Sequence, residues 1–387
     1  MRTRKIFRVA LLLPWQAKLS HEIVLGMDNF FRGRHQCLFF HLFPNASDLK
    51  SVLSWRLDGI IAALHGEEMF SMAKTTRCPL ISTHGGDPRP SIHQVDFNSE
   101  TIAQMAAQHL LALGHRHFAF VGWAGENGPQ IGRFFKKQIG AAGYPLHIFR
   151  SEVFARFGNF TEEFHTELAG WMNGLPRPTA ILCRDDWWAV PVRMTCQKLK
   201  LSIPEEISVL GIGDDEIFCE SIHPPLSSIR LPHRLAGFKI AQTLHRLIRS
   251  PSSPKREHIL LPPEMVVERQ STSLFATRDP SILSALRFIK AEAANKITVQ
   301  DVAQASGVSR RVLEQRFRAI LGRGPHTEIK RQRIEKAKGL LASTDIGLEL
   351  VAERSGFSSA NYMGDAFSCE LGVNPREYRR QRNPATA

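Results

Sequence analysis

"DVAQASGVSRRVLEQRF" runs from Asp301 to Phe317, and "LVAERSGFSSANYMGDAF" runs from Leu350 to Phe367. The second stretch rewrites the first. Val302-Ala303, Ser306-Gly307 and Val308-Ser309 recur 49 residues later as Val351-Ala352, Ser355-Gly356 and Phe357-Ser358. Phe317, Gly322 and Pro325 recur 50 residues later as Phe367, Gly372 and Pro375, which puts one extra residue in the second helix of the second copy. Self-similarity at a fixed period means that one structural unit is built twice.

Each copy reads as two short helices around a turn. Val299, Val302 and Ala303 give the first helix an apolar face. Gly307 can adopt the positive φ of a tight inter-helix turn, and Ser309 is a candidate N-cap for the second helix. Leu313 and Phe317, four apart, face inward and leave Arg310, Arg311, Glu314 and Gln315 outward. Such a helix suits the DNA major groove, where Arg reads guanine and Gln reads adenine. A plain helical hairpin in a bundle has the same apolar spacing. Duplication and charge decide between the two. The last 107 residues hold 18 Lys and Arg against 11 Asp and Glu, whereas the first 280 hold 32 against 26. The net positive charge per residue is about three times higher in the tail, as a polyanion-binding module requires. Between the copies, "HTEIKRQRIEKAKGLLAST" reads as one linking helix with Ile329, Ile334, Ala337 and Leu341 apolar. Its Lys330, Arg331, Arg333, Lys336 and Lys338 read mostly as a solvated face.

The chain of 387 residues is long enough for two or three domains. "MRTRKIFRVALLLPWQ" has too short an apolar run for a signal peptide and reads as a first buried strand. No stretch approaches the roughly 18 apolar residues of a membrane span. Cys37, Cys78, Cys183, Cys196, Cys219 and Cys369 are scattered, with no CxxC pair, which fits reduced thiols in a cytoplasm rather than disulfides or zinc.

Ahead of the tail, "RVALLL", "CLFFHLF", "DGIIAAL", "PLIST", "HFAFVG", "TAILC" and "ISVLGIG" read as strands. They alternate with helices such as "SETIAQMAAQHLLALG", the pattern of parallel sheets covered on both faces. Too many units for one open sheet imply two α/β lobes with a cleft between them. A helix at about 234–249, the loop "SPSSPKRE" and one last strand-like segment, "HILLPPEMVVERQST", close this part.

The tail resembles the DNA-binding domain of AraC/XylS-type transcription regulators, through "SGFSSANYMGDAFSCELGVNPREYRR" and its F-x4-G-x-x-P-x-x-Y-R spacing. The resemblance implies helix-turn-helix units at about 298–318 and 347–371, joined by a helix at about 326–343, in a domain of 282–383. Ser309, Arg310, Arg311, Glu314, Gln315, Arg318, Ser359, Ala360, Asn361 and Asp365 are then the candidate DNA-facing residues. The family places Arg two residues before the Phe. Here Gln315 and Asp365 stand there, with Arg316 shifted by one and Gly364 inside the second helix. The first unit and Asn361 are therefore expected to do most of the base reading.

The front is similar to LacI/GalR-type sensors of the periplasmic-binding-protein fold, through "HLLALGHRHFAFVG", "PTAILCRDDWWAV", "IPEEISVLGIGDDE" and "HPPLSSIRLPHRLAGFKIAQTL". This implies a sensor over 6–272, with one lobe at about 6–113 and 229–270, the other at about 114–228, and a linker at 273–281. A LacI-type sensor ahead of an AraC-type tail resembles the xylose-responsive XylR-type regulators. That resemblance implies a small sugar held between the lobes and activation of sugar-utilisation genes through RNA polymerase. Carried over by position, the effector candidates are Trp15, Asn98, Arg133, Asp185, Trp187 and Asp214, with His21 and Glu22 on the loop after the first strand. Asp and Asn acceptors suit vicinal hydroxyls, and a Trp supplies an apolar wall. Gly213 stands where the family has an acid, Ile131 where it has the cleft Arg, and Asn98-Ser99 where it has Asp-Asn. A different ligand, or none, is the alternative, and a sugar-binding receptor without a DNA role is a remote one. A homodimer in the cytoplasm is expected, with double-stranded DNA as partner and no membrane, metal or cofactor. There is no P-loop, GxSxG or HExxH, so no enzyme is expected. "GWAGENGPQIG" (Gly122–Gly132) lacks dinucleotide spacing and reads as a cleft loop, and the histidines of "GHRH" read as structural.

Overall fold

A computed structural model describes residues 6–14, 18–32, 35–64, 66–84, 92–123, 129–157, 159–221, 223–250, 256–272 and 279–382. In the first lobe, β1 (Ile6–Leu12), β2 (Gln36–Leu42), β3 (Gly59–Ala63), β4 (Leu80–His84), β5 (His93–Phe97) and β11 (His258–Leu261) form a parallel sheet in the order β11-β5-β4-β3-β1-β2. Alternate side chains go to opposite faces, as the period of a strand dictates. Phe7, Val9 and Leu11 pack against α1 (Lys18–Phe31) and α10 (His233–Arg249). Ala10 and Leu12 pack against α2 (Ala46–Val52) and α3 (Gly66–Ala73).

In the second lobe, β6 (His117–Trp123), β7 (Leu146–Arg150), β8 (Thr179–Cys183), β9 (Ile207–Gly213), β10 (Ser227–Arg230) and β12 (Met265–Val267) form a sheet in the order β12-β10-β9-β8-β6-β7, with only β12 antiparallel. Phe118, Phe120, Leu182 and Leu210 pack on α4 (Ser99–Ala112) and α5 (Gln130–Ala141). Val121, Ile181 and Val209 pack on α7 (Glu162–Asn173) and α8 (Asp186–Lys198), and Phe154 of α6 (Glu152–Phe157) and Cys219 of α9 (Glu216–Glu220) join the same core.

Two expectations are corrected here. The helix of "SETIAQMAAQHLLALG" buries Ile102, Ala103, Ala106 and Leu110 against the second sheet, so the first lobe ends near Phe97 and not at 113. "HILLPPEMVVERQST" is not one strand. Pro262-Pro263 break it, and its halves join different sheets. Three crossings therefore connect the lobes, with Asn98 N–H donating to Leu261 O (2.8 Å) and Glu264 N–H to Arg230 O (2.9 Å).

The tail is helical: α11 (Pro280–Glu292), α12 (Val299–Ala305), α13 (Arg310–Leu321), α14 (Pro325–Ser343), α15 (Leu348–Arg354), α16 (Ala360–Leu371) and α17 (Pro375–Arg382). It has two small cores. The first gathers Ile282, Leu286, Val302, Leu313 and Phe317 and includes Leu113 from the sensor. The second gathers Ile334, Leu341, Val351, Phe357, Phe367 and Tyr378. Most of the expected linker, 273–278, lies outside the described residues.

Candidate nucleic-acid interface and effector cleft

The first reading unit is fixed at both helix starts. Thr298 and Asp301 form a reciprocal capping box on α12. Gly307 turns the chain at φ 68°, and Ser309 Oγ accepts from Val312 N–H (3.4 Å) at the start of α13. With Leu313, Phe317 and Leu321 buried, Arg310, Arg311, Gln315 and Arg318 stand in solvent. Arg310 Nε reaches Glu314 Oε1 at 2.9 Å, which holds both side chains on one face. Arg316 turns the other way. Its guanidinium donates to Asp279 (3.0 and 3.2 Å) and to Ser281 Oγ (2.9 Å), so it ties α13 to the N-cap of α11.

The second unit corrects the placement of the extra residue. Both reading helices have 12 residues, and the N-cap of α16 is Ser359, whose Oγ accepts from Tyr362 N–H (3.2 Å). Gly356 sits at φ 85°, so the insertion falls in the turn, between Gly356 and the cap. The helices then superpose residue for residue with an offset of 50 throughout: Arg311 matches Asn361, Glu314 matches Gly364, and Gln315 matches Asp365. Asn361 and Asp365 are exposed, Ala360 is half-buried, and Met363, Ala366 and Phe367 form the inner face. Tyr362, which the sequence reading passed over, is 44% exposed beside Phe357 in the first turn of α16. Its signal was there, an aromatic where the first copy has Val312. The units differ in charge. α13 carries four Arg and one Glu, while α16 carries one Asp, one Glu and no cation.

The linking helix α14 is less solvated than its charges suggested. Glu328, fully buried, accepts from Arg323 (2.7 Å), Arg331 (2.8 Å) and Gln332 (3.0 Å). Burial alone would raise its pKa, but the two guanidinium groups outweigh it and hold the carboxyl below its ordinary range. Arg333 donates to Ala293 O and Asn295 O (2.8 and 3.0 Å), and Lys338 pairs with Glu335 at 2.8 Å. Three of the five cations are therefore structural. A helix that passes between two cores has little free face.

The cleft candidates gather in part at the ends of β8 and β9. Asp185 caps α8, accepting from Trp188 N–H at 3.0 Å with Arg184 at 3.6 Å. Trp187 is 40% exposed and lies 4.1 Å from Phe160, centroid to centroid, at 30°. Asp214 is buried at φ 54° and clamped by Arg230 (2.7 Å) and Arg269 (2.9 Å). Beside it, burial pushes the Asp186 carboxyl up to about 7, although it accepts from Ser228 Oγ (2.6 Å) and Asp215 N–H (2.8 Å). Gly213, at φ 127°, faces Asp186, and a Cβ there would lie 3.2 Å from Asp186 Oδ2, so its backbone does not suit the acid of the family pattern. Ile131 is core. Asn98 caps α4 through Glu100 and Thr101 N–H (3.1 and 3.2 Å). Arg133 is half-buried on α5, and Trp15 lies outside the described residues, as do residues 124–128 of the Gly-rich loop. His21 and Glu22 are in α1 rather than on a loop, and Glu22 pairs with Arg234. Lys18 crosses from the first lobe to the second: its N–H donates to Asp215 Oδ2 (3.0 Å), and its Nζ reaches Asp214 O (3.1 Å) and Glu216 Oε1 (2.9 Å).

Among the described residues no group of three or more His, Cys, Asp and Glu could hold a metal ion, and no helix is long and apolar enough to cross a membrane. Burial pushes His115 of "GHRH" down to about 3, so its imidazole is neutral.

A two-lobed sensor joined to two helix-turn-helix units defines an AraC-type transcription regulator with a periplasmic-binding-protein-like sensor, and the chain is one. Residues 107–272 match the periplasmic binding protein-like domain family, and 302–381 match the helix-turn-helix domain family. The chain is 28% identical over 387 residues to the xylose operon regulatory protein of Escherichia coli K12, covering 97% of each. It is 28% identical over 396 residues to that of Haemophilus influenzae, covering 97% of this chain and 99% of the relative. A solved structure of a xylose-binding transcription activator, xylR, matches at 26% identity and TM-score 0.61, over 97% of this chain and 98% of that one.

Proposed function

We propose that this chain activates sugar-utilisation genes in response to a pentose such as xylose, bound between its lobes. The observation that carries the reading is the end-to-end match: one order of sensor and double reader, over 97% of the chain, shared with xylose operon regulators. Arg310, Arg311, Gln315 and Arg318 of the first unit read or grip DNA, with Glu314 orienting Arg310. Asn361 adds a base contact from the second unit, and Asp365 accepts from cytosine N4. Ser309, Ser359 and Ala360 set the starts of the reading helices. Trp187 offers a stacking wall to the sugar, Asp185 the oxygen that lies 3.6 Å from Arg184, and Arg133 a donor. The protein acts in the cytoplasm as a homodimer that recruits RNA polymerase, with no chemistry of its own.

One observation favours a second reading, in which the effector is not a sugar or the regulator works without one. Asp214 is clamped by two arginines, and Asn98 and Asp185 cap helices, so few acceptors are free for vicinal hydroxyls. Thermal unfolding against pentoses, hexoses and their phosphates separates the two. A ligand at 100 times its Kd adds about 2.7 kcal/mol to the domain that binds it. A shift with xylose supports the first reading, and no shift with any sugar refutes it.

A further inference from the structure

Two neighbouring residues reach in opposite directions from the strap that follows β12. Arg269 points to the cleft. It pairs with Asp214 Oδ1 (2.9 Å) and Glu220, and donates to Leu226 O (3.0 Å). Glu268 points to the reader. It accepts from Lys290 Nζ of α11 at 2.7 Å and faces His109 Nδ1 of α4 at 3.6 Å, with Arg331 of α14 in its field. The strap is laced to the sheet. Ser271 Oγ donates to Val209 O (2.6 Å), Thr272 Oγ1 to Ser227 Oγ (2.6 Å), and Arg269 N–H to Ser227 Oγ (2.8 Å). Asp214, at the far end, is also where Lys18 arrives from the other lobe.

The described contacts of the reader with the sensor fall on this lobe. Leu113 enters the first reader core, Arg323 donates to Ala112 O, and Tyr378 Oη reaches Glu264 O at 3.4 Å. Opening the lobes must break the three bonds of Lys18 to Asp214, Asp215 and Glu216, the segment that Arg269 grips through the Asp214 carboxylate. A change at the cleft floor thus meets a short and nearly rigid route to α11 and α14.

We propose that Glu268 and Arg269 are positioning residues that transmit the disposition of the lobes to the DNA reader. The pair carries the state of the Lys18–Asp214 bridge to Lys290 and Arg331, and so to the seat of the first recognition helix. Coupling through such a network requires that a change at one end alter the other, and that cutting the middle abolish the effect. The inference rests on the cleft being the regulatory site, but its test uses no effector, so its outcome is separate from the sugar assay.

The experiment is a double-mutant cycle on the full chain, with a DNA duplex selected from random sequence by the unaltered protein. Lys18→Ala is expected to change the Kd for this duplex by about fivefold or more, the low end of allosteric coupling. In a Glu268→Gln background the same substitution should change it by less than about twofold, because the cycle isolates the interaction. Lys290→Met cuts the same pair from the reader side, is half-exposed, and stands in if Glu268→Gln does not fold. A merely structural Glu268 would weaken binding without erasing the effect of Lys18→Ala. Independent, multiplicative effects overturn the proposal, and so does a Lys18→Ala variant that binds like the unaltered protein.

Discussion

Gly307 and Gly356 occupy equivalent turns, yet substitution by alanine should affect them unequally. Both have left-handed backbones, at φ 68° and 85°. An L-residue there costs about 1–2 kcal/mol, and this strain is common to both variants. A Cβ at Gly307 meets nothing within 4 Å, so the strain is the whole cost. A Cβ at Gly356 would lie 2.9 Å from Ala294 Cα and nearer still to the Ala293 carbonyl oxygen. Those are backbone atoms just past α11, and the Ala293 carbonyl already accepts from Arg333. They cannot rotate away, so the second turn must shift, at a further cost of about 1–3 kcal/mol by the scale of overpacked sites. Gly356→Ala should therefore lose about 2–5 kcal/mol in all, and Gly307→Ala about 1–2. Amide hydrogen exchange read by mass spectrometry measures local opening in the intact chain. Peptides of α15 and α16 should exchange tens to thousands of times faster in Gly356→Ala, and those of α12 and α13 about tenfold faster in Gly307→Ala. Equal losses of protection, or a larger one in Gly307→Ala, would refute the idea that the second unit is seated on the end of α11.

Four other outcomes are expected. Glu328→Gln removes the buried carboxylate between Arg323 and Arg331 and should cost about 3–5 kcal/mol, seen as an early melting step of the reader. Gly364→Ala adds a methyl in open space on α16 and should stabilise that helix by up to about 1 kcal/mol, read as slower exchange of its amides. Burial holds His233 and His115 down to about 4 and about 3 in the fold, so they bind protons only on unfolding; their stability contribution is whole above pH 6.5 and falls as pH drops towards those values, by about 2 kcal/mol each at pH 5, measurable by denaturant titration at pH 7 and 5. Arg311→Ala should weaken binding to the selected duplex by about 1–3 kcal/mol and relax preference at one base pair, whereas a uniform loss across sequences would make Arg311 a phosphate contact.

The double reader was legible because its apolar spacing, glycine turns and prolines recur at one period. The place of its extra residue was not. Ser358 and Ser359 are adjacent and either could cap a helix; only the extended backbone of Ser359 and its bond to Tyr362 decide between them. The two lobes were legible from their apolar strands, but the allegiance of α4 was not, because an apolar face does not say which sheet it meets. The split of the last strand could have been read from Pro262-Pro263, since proline lacks the donor that a ladder needs. Asp214 and Arg316 show a different limit. Sequence position marked each as notable, but the partners of their side chains lie 16 to 55 residues away for Asp214 and 35 to 37 for Arg316, and no local pattern encodes such a pairing.

The asymmetry of the two readers gives the architecture its logic. Neutralising phosphates with Lys and Arg supplies most non-specific affinity and its salt dependence. α13 can do this and α16, with no cation, cannot. The cation-bearing unit is also the one whose core takes in Leu113 of the sensor, and Arg323, in the turn after α13, bonds to the sensor at Ala112. The second unit has a core of its own and meets the rest through α14, Gly356 and Tyr378. A signal arriving through the second lobe therefore meets first the reading helix that carries the cations. On the function proposed above, a small reorientation there changes affinity directly, while the second unit, carried on α14, positions the protein on the duplex and adds the Asn361 contact.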